Sequence, residues 1–192
     1  MTEENSNLRI FKNLWNGLLK LQRVIMLVAI VLTSTAILIE VIMRYIFKSS
    51  IIGVQELAAY SAIWLYFSGA AYGTYTRSHI SAELTHLILK NPRHLAVTKV
   101  ITNAISFGLA VYILPWAWRY IEWGYTKGEQ SSSSLFGQTY PIFFFQASIF
   151  YGLILMALYF FVEMLQWLLP LIIGQEIPKE LASEREEIES WI

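Results

Sequence analysis

Three charged residues stand beside apolar segments of this chain: Glu40 and Arg44 near the end of one segment, and Glu56 at the start of the next. Because lipid does not solvate charge, ionisable groups at such positions are candidates for function. Glu40 and Arg44 are four residues apart with the acid first, which is the favourable order for a helix ion pair. We predict that the three side chains form one charge cluster that fixes two helices to each other or to a partner. In the alternative interpretation, Arg44 extends to the lipid headgroups and Glu40 accompanies it.

The segment after Glu56 carries small residues at nearly regular intervals. They are Ala58, Ala62, Gly69 and Gly73. Spacings of four and seven bring these residues onto one stripe of a helix, and such a stripe allows another helix to approach closely. The stripe is predicted to be a packing surface for a helix of this chain or of another subunit.

Polar and apolar side chains recur at helical spacing between residues 79 and 90. One face holds Ile80, Leu84, Leu87 and Ile88, and the other holds His79, Glu83, His86 and Lys90. This pattern predicts a short amphipathic helix in the cytoplasmic interface of a membrane, ended by Asn91-Pro92. Two imidazoles and a carboxylate at this spacing could also hold a metal ion. We favour the amphipathic helix, because no further ligand is evident except His94 beyond the proline.

The remaining composition argues against enzyme chemistry. The chain has no cysteine and no aspartate, which removes thiolate metal sites, cysteine nucleophiles and the commonest carboxylate ligand of catalytic Mg²⁺. The histidines all lie between two apolar segments, so none is placed to ligate a haem within a membrane span. No serine of the apolar segments has a histidine at matching depth. We predict no catalytic residue, no cofactor and no metal.

Long apolar segments position these residues. Hydrophobic residues make up 56% of the chain and charged residues 15%, whereas a soluble domain carries about 25% charged residues. A bilayer core requires about 20 apolar residues in a helix. Four segments have that length, at about residues 24–46, 57–76, 100–118 and 140–162. The sequence predicts an all-α membrane protein with four transmembrane helices plus the interfacial helix. Residues 1–23 would form a cytoplasmic N-terminal segment, 24–167 the membrane domain and 168–192 a cytoplasmic acidic tail.

Lysines and arginines lie unevenly on the two sides of these spans. Four lie on the side opposite the termini, namely Arg44, Lys48, Arg119 and Lys127. The remaining ten of the 14 lie on the side of the termini. Because basic residues accumulate in cytoplasmic loops, both termini are predicted to face the cytoplasm of a bacterial inner membrane. The net charge of zero gives no basis for binding nucleic acid.

The predicted spans contain no charge near their centres and the chain shows no internal repeat. A secondary transporter that acts alone usually has repeated halves, broken helices and buried polar groups that coordinate its substrate. The chain is therefore predicted to assist a larger protein.

Five short motifs follow one another between Val41 and Leu89. They are Arg44-Tyr45-Ile46-Phe47, Glu56-Leu57, Ile63-Trp64-Leu65, Gly69-Ala70-Ala71 and His79-Ile80. In this order, and within four spans, the stretch resembles the small membrane subunit of tripartite ATP-independent periplasmic (TRAP) transporters. The resemblance implies a large membrane subunit that carries the substrate and sodium sites, and a periplasmic protein that delivers the substrate. It implies sodium-driven import of organic acids, including dicarboxylates and sialic acids, with this chain as a non-catalytic scaffold.

The predicted external loops, residues 48–55 and 119–139, are the parts of the chain that a periplasmic protein can reach. Charged residues of the second loop are predicted to add a secondary docking surface for that protein, because charges at the rim of an interface tune encounter. They are Arg119, Glu122, Lys127 and Glu129.

Two other classes of protein also fit four spans. A small four-helix efflux protein would dimerise around a glutamate deep in its first span, whereas Glu40 lies near the end of that span beside Arg44. A membrane anchor of a redox or signalling complex fits the size equally well. Haem absorbance or a soluble catalytic partner would identify the anchor.

Overall fold

A computed structural model describes residues 2–49, 51–76, 92–131 and 139–173. They form four helices, numbered here in chain order: α1 is Thr2–Tyr45, α2 is Ile52–Tyr75, α3 is Pro92–Lys127 and α4 is Phe143–Ile173. The described ranges contain no β-structure beyond an isolated bridge between Gln130 and Pro141. The all-helical prediction is confirmed for this part of the chain. The predicted interfacial helix at 79–90, with its residues His79 to Ile88, and the tail from residue 174 lie outside the described residues.

Three of these helices are long and apolar enough to cross a membrane, over Lys12–Tyr45, Arg93–Lys127 and Phe143–Ile173. They cover the first predicted span up to residue 45, the whole third predicted span, and the fourth predicted span from residue 143 onward. The 24-residue α2 is not among them, because glycine, serine, threonine and tyrosine interrupt its apolar residues. The second predicted span is therefore a helix, and its crossing of the membrane stays a prediction.

α1 and α3 are longer than a bilayer core is thick. They have 44 and 36 residues, which at about 1.5 Å per residue extend roughly 66 and 54 Å, against about 30 Å of hydrocarbon. α1 thus continues as one helix through most of the predicted N-terminal segment 1–23. α3 passes through Pro115 and beyond the predicted end of the third span.

α3 ends at a recognisable capping motif. Gly128 has a φ of 62°, and the N–H of Glu129 donates to the carbonyl of Gly124 at 3.1 Å. This is the pattern of a Schellman motif, in which glycine takes the left-handed position at little cost. Residues 119–127 of the predicted external loop 119–139 are therefore helical, and the side of the membrane on which they lie stays a prediction.

The turn after α1 contains an unusual lysine. The N–H of Ser49 donates to the carbonyl of Met43 at 3.1 Å, and Lys48 has a φ of 51°. A residue with a side chain adopts this left-handed conformation at a cost of about 1–2 kcal/mol. The short turn fixes where α2 begins relative to the end of α1.

The chain divides into two compact units. Unit 1 comprises Met1–Tyr72 and Leu114–Gly152, and unit 2 comprises Gly73–Ile113 and Leu153–Ile192. Unit 1 contains α1, most of α2, the last part of α3, the first part of α4 and the two connections described above. Unit 2 contains the end of α2, the first part of α3 and the last part of α4.

In unit 1, α1 and α2 are antiparallel neighbours. The residue pairs in contact along them are Gln22–Ser68, Thr33–Ser61 and Glu40–Gln55. Residue numbers rise along α1 while they fall along α2, so the two helices run in opposite directions. The contacts span 18 residues of α1, or about 27 Å at helical rise, which is close to the thickness of a bilayer core.

The first part of α4 packs against both α2 and α3 in unit 1. The aromatic pairs that show this are Tyr60–Phe145, Trp64–Tyr151, Trp118–Phe150 and Tyr125–Phe143. The pairs run parallel for α2 and α4 and antiparallel for α3 and α4. The α1–α2 turn and the α3–α4 connection therefore lie at the same end of unit 1.

Buried residues of α1 occupy two positions of a seven-residue repeat. Leu19 and Glu40 lie at one position, and Gln22, Ala29 and Ala36 lie at the other. A repeat of seven keeps one narrow line of residues facing a neighbour at a crossing angle of about 20°. Small and polar residues on this line allow close approach and hydrogen bonding between helices.

Unit 2 has a separate core. α3 contributes the buried residues Ala96, Lys99, Asn103 and Ala110, and α4 contributes Leu153, Leu155, Ala157, Tyr159 and Trp167. Phe107 contacts Phe161 with ring centroids 5.4 Å apart, and Tyr75 contacts Tyr159 at 5.5 Å. Aromatic rings thus pack the middle of this unit, while the buried Lys99 and Asn103 lie one turn apart on α3.

Candidate helix-packing and docking sites

Two members of the predicted charge cluster, Glu40 and Arg44, form an ion pair at the turn end of α1 and α2. Oε1 of Glu40 accepts a hydrogen bond from Nη2 of Arg44 at 3.0 Å and one from Nε2 of Gln55 at 2.8 Å. Glu40 is buried, whereas the Arg44 side chain is 54% exposed. The carboxylate therefore joins an ion pair within α1 to a hydrogen bond from α2.

Gln55, rather than the predicted Glu56, provides the α2 side chain that reaches Glu40. Glu56 is half-buried one residue further along α2. Neighbouring residues of a helix point about 100° apart. Position along the sequence alone therefore did not show that Gln55, and not its neighbour Glu56, would reach Glu40. The amide of Gln55 donates to Oε1 of this carboxylate without bringing a second negative charge.

Two further polar contacts continue the same line between the helices. Oγ1 of Thr33 lies 2.9 Å from Oγ of Ser61, and Nε2 of Gln22 donates to the carbonyl of Ser68 at 2.9 Å. Both Gln22 and Ser68 are fully buried. We call the six residues Gln22, Thr33, Glu40, Gln55, Ser61 and Ser68 the polar seam.

A cation–π contact lies at the far end of the polar seam. The guanidinium carbon of Arg23 lies 5.6 Å from the centroid of the Tyr72 ring, within the range of a favourable interaction. The seam is therefore flanked by an arginine at each end, Arg23 at one and Arg44 at the other.

The polar seam can hold two helices in one register. Interhelical hydrogen bonds in membranes contribute about 0.6 kcal/mol on average and at most about 1.7. If α1 slid by one residue along α2, all three hydrogen bonds between these helices would break together. The three bonds therefore fix the register of the two helices more than they raise the total stability. Sequence reasoning missed Gln22, Thr33, Ser61 and Ser68, although the seven-residue spacing of polar and small residues on α1 was a visible signal.

The predicted small-residue stripe lies beside the polar seam rather than on it. Ala58, Ala62, Gly69 and Gly73 are all half-buried. A Cβ atom added at Gly69 would have no atom of the described chain within 4 Å. Among the described residues, the hydrogen bonds from α2 to α1 are instead made by Gln55, Ser61 and Ser68 of the seam. The space at Gly69 is open on the part of the surface that the structure describes.

α2 and α4 approach each other closely at a glycine that sequence reasoning missed. A Cβ atom added at Gly152 would lie 2.7 Å from Cβ of Phe67 and 2.9 Å from its carbonyl oxygen. Backbone atoms cannot turn aside as a flexible side chain can, so α2 and α4 are this close only because residue 152 lacks a side chain. A stacked pair of rings, Tyr60 and Phe145, with centroids 4.3 Å apart, packs the same interface.

A second glycine serves the contact between α3 and α4. The buried amide of Gln146 lies against Gly124, so closely that an added Cβ would overlap its Oε1 atom. Neither amide atom of Gln146 has a hydrogen-bond partner among the described residues. Buried residues of α3 recur every seven positions, at Ala96, Asn103, Ala110, Ala117 and Gly124. This repeat was readable in the sequence.

The four predicted docking residues lie near the end of α3. Arg119, Glu122 and Lys127 are exposed on its last turns, and Glu129 is half-buried just after it. The connection is closed at its base by two backbone hydrogen bonds. The N–H of Ser131 donates to the carbonyl of Tyr140 at 2.8 Å, and that of Ile142 donates to Glu129 at 3.0 Å.

The described residues contain no group of three His, Asp or Glu side chains that could hold a metal ion. The histidines of the alternative metal site, His79 and His86, lie outside the described ranges. The polar groups that the structure does bring together bond one helix to another. These features define the chain as a helical membrane protein built around interhelical packing.

The family profile described as "Tripartite ATP-independent periplasmic transporters, DctQ component" matches residues 33–169. That range covers most of the chain, so the chain belongs to this family, the small membrane component of TRAP transporters. The resemblance noted from five motifs is thereby confirmed. In TRAP systems this component acts with a large membrane subunit and a periplasmic binding protein. Compared one by one with curated proteins, the chain has no significant match.

Proposed function

We propose that this chain is the non-catalytic scaffold subunit of a sodium-driven TRAP transporter that imports an organic acid of the dicarboxylate or sialic acid class. The observation that supports this role is the polar seam, whose side chains bond α1 to α2 instead of lining a cavity for a polar substrate. The substrate and sodium sites are then assigned to the large subunit. The scaffold provides a fixed reference against which a moving domain of that subunit travels.

The proposed membrane topology has four spans and both termini in the cytoplasm. α2 runs beside α1 for about the thickness of a bilayer core, and it is antiparallel to α1 and parallel to α4. Both connections of unit 1 lie at one end, which carries the four basic residues assigned to the periplasmic side. Fewer basic residues are expected on that side.

Free surfaces remain for the proposed large subunit. Only 17% of the apolar window of α1 is buried within the chain, so most of this helix is available to lipid or protein. The small-residue stripe, with open space at Gly69, is the part of α2 to which a partner helix could come closest. We assign the stripe to the large subunit.

The charges near the end of α3 are proposed as a secondary docking surface for the periplasmic binding protein. Arg119, Glu122 and Lys127 are exposed there, and the hydrogen-bonded base of the connection holds Glu129 beside them. Rim charges chiefly change encounter rate and salt dependence. Charge reversal at Lys127 and Glu129 that leaves uptake unchanged across a range of salt concentrations would remove this surface from the proposal.

Reconstitution tests the scaffold role. In liposomes with an imposed sodium gradient, we expect no uptake of organic acids by this chain alone, because the polar side chains of the described helices bond to one another and line no site for a polar substrate. Uptake should appear when the large subunit and the periplasmic binding protein are added. The measurement is accumulation of radiolabelled organic acids, with and without the gradient.

A seam variant separates scaffolding from substrate binding. Gln55→Ala should lower the yield of assembled complex and leave the KM for substrate and for sodium unchanged per assembled complex. Uptake by the chain alone, or a changed sodium KM in this variant, would refute the assignment.

A further inference from the structure

Unit 1 contains an apolar groove between α1 and α2. The section next to the α1–α2 turn runs from Leu32 to Ile39 on α1 and from Ile51 to Leu57 on α2, and its volume is about 450 Å³. A second section of about 370 Å³ shares Leu32 and Leu57 with the first and continues along α1. The residues that line the two sections include no charged side chain. The groove therefore suits an apolar, elongated occupant.

The volume decides what kind of molecule fits. An apolar cavity of about 150 Å³ holds one six-carbon benzene molecule. By that measure, the section of about 450 Å³ next to the turn accommodates about three times as many carbons, which is the size of one lipid acyl chain. A helix with its side chains is about 10–12 Å across, and a stable protein interface involves about 20–30 residues on each side. The groove is too small for such a partner.

The position of the groove also favours lipid. It opens on the face of α1 where Val28, Leu32 and Ile39 are exposed. α1 is long and apolar enough to cross a membrane, so this face is continuous with the surface that meets the bilayer. An unfilled groove in that surface would forgo dispersion contacts, which a lipid chain restores.

The open end of the groove has the charge that a phospholipid requires. The section ends at Ile39 and Ile51, beside the turn that carries the exposed Lys48. Lys48 is held in a left-handed conformation that glycine would adopt more readily. A lysine ammonium at the edge of a membrane attracts anionic lipid phosphate.

We propose that this groove binds one phospholipid of the surrounding bilayer. Its acyl chain lies between α1 and α2 from Ile39 to Leu32, and its phosphate lies at Lys48 in the turn. The lipid is thus a structural component of the turn end of the α1–α2 pair, next to Glu40 and Gln55.

Photo-cross-linking of the full-length chain tests the proposal. The chain is placed in nanodiscs of phosphatidylethanolamine and phosphatidylglycerol that contain a phospholipid with a photoactivatable acyl chain, and the labelled residues are mapped by mass spectrometry. We expect labelling concentrated on Leu32, Ile39 and Leu57. Thr35→Trp, which fills the groove, should lower this labelling several-fold. Ile37→Trp should leave it unchanged, because residue 37 points about 200° away from residue 35 around the helix.

The headgroup contact has its own variant pair. For this test, the photoactivatable lipid is phosphatidylglycerol, the anionic lipid of the nanodisc. Lys48→Glu should reduce its labelling of the chain several-fold, whereas Lys127→Glu should not. Lys48 lies in a turn, so this test does not depend on a substitution within the helix pair. Equal labelling around α1, or no effect of Lys48→Glu, would overturn the proposal. Loss of labelling on addition of the large subunit would overturn it as well, because the occupant would then be protein.

Discussion

Glu40 shows how a carboxylate is accommodated at the edge of the membrane-spanning part of a helix. It is 9% exposed, and one of its oxygens accepts hydrogen bonds from both Arg44 and Gln55. A buried charge is costly unless it is paired and hydrogen-bonded. The arrangement uses the ion pair for charge and the amide for attachment to α2. Arg44 is half-exposed, so it can also reach headgroups, and the two interpretations of the sequence are compatible.

A double-mutant cycle measures the attachment. We expect a coupling free energy between Glu40→Ala and Gln55→Ala of about 0.6 kcal/mol, and no more than about 1.7, because this is the range of interhelical contacts in membranes. The measurement is the free energy of unfolding in mixed micelles for the wild type, both single variants and the double variant.

The control cycle pairs Gln55→Ala with Arg9→Ala near the start of α1. Sites that share no partner are additive within roughly 0.3–0.5 kcal/mol. A coupling for Glu40 and Gln55 no larger than in the control would show that their hydrogen bond does not hold the helices together.

At the scale of helices, contact lines with a repeat of seven organise the packing. Buried residues recur at this interval on α1 and α3, and most of them are small or polar. Lipid is as apolar as leucine, so a hydrophobic driving force between helices is absent. Close backbone approach and hydrogen bonds take its place, which explains why small and polar residues occupy the contact lines of α1 and α3 while many large apolar residues of these two helices are exposed.

At Gly152, α2 and α4 lie so close together that even a methyl side chain would not fit between them. We expect Gly152→Ala to destabilise the protein by about 1–3 kcal/mol, the usual effect of overpacking, because the new Cβ would meet the backbone of Phe67. The measurement is the loss of ellipticity on heating in detergent, together with the yield of monodisperse protein.

Gly108→Ala is the matched control on α3. A Cβ at Gly108 has no atom of the described chain within 4 Å, so this variant should be neutral or more stable by up to about 1 kcal/mol, since alanine favours helix over glycine. Equal effects of the two substitutions would argue against a tight α2–α4 contact at residue 152.

For the whole molecule, the arrangement of unit 1 and the charge asymmetry lead to the same topology. α1 and α2 alternate in direction, as do α3 and α4. If all four helices cross the membrane, the α1–α2 turn and the α3–α4 connection lie on the same side of it. α2 has 24 residues but is not among the helices that are long and apolar enough to cross a membrane, so its crossing is the part of the topology that needs a direct test.

Single cysteines resolve the topology, because the chain has none of its own. Introduced at Ser49 and Gln130, they should react with a membrane-impermeant maleimide added to intact spheroplasts. Introduced at Asn13 and His94, they should react only after lysis, because the proposed topology puts these residues in the cytoplasm.

The same set distinguishes the alternative. If α2 does not cross the membrane, residue 94 remains outside and α3 carries residue 130 inward. Labelling of His94→Cys but not Gln130→Cys in intact spheroplasts would therefore contradict the four-span topology. Asn13→Cys serves as the internal control, since its side depends on α1 alone.

The sequence by itself determined the parts of this protein that depend on local composition. Apolar length predicted the helices that contain three of the four spans, and the order of motifs from Arg44 to His79 identified the family. The acid-first spacing of Glu40 and Arg44 predicted their ion pair, because residues four apart on a helix are always neighbours. These inferences need no knowledge of which helices pack together.

Only the tertiary structure decided which neighbour each helix face meets. It placed Gln55 on Glu40, left open space beside Gly69 among the described residues, and brought α2 and α4 close together at Gly152. Periodicity shows which residues share a face, but partners on another helix depend on its register and rotation. A rotation of 100° exchanges one residue for the next, so these contacts are fixed by distances between helices and not by position along the chain.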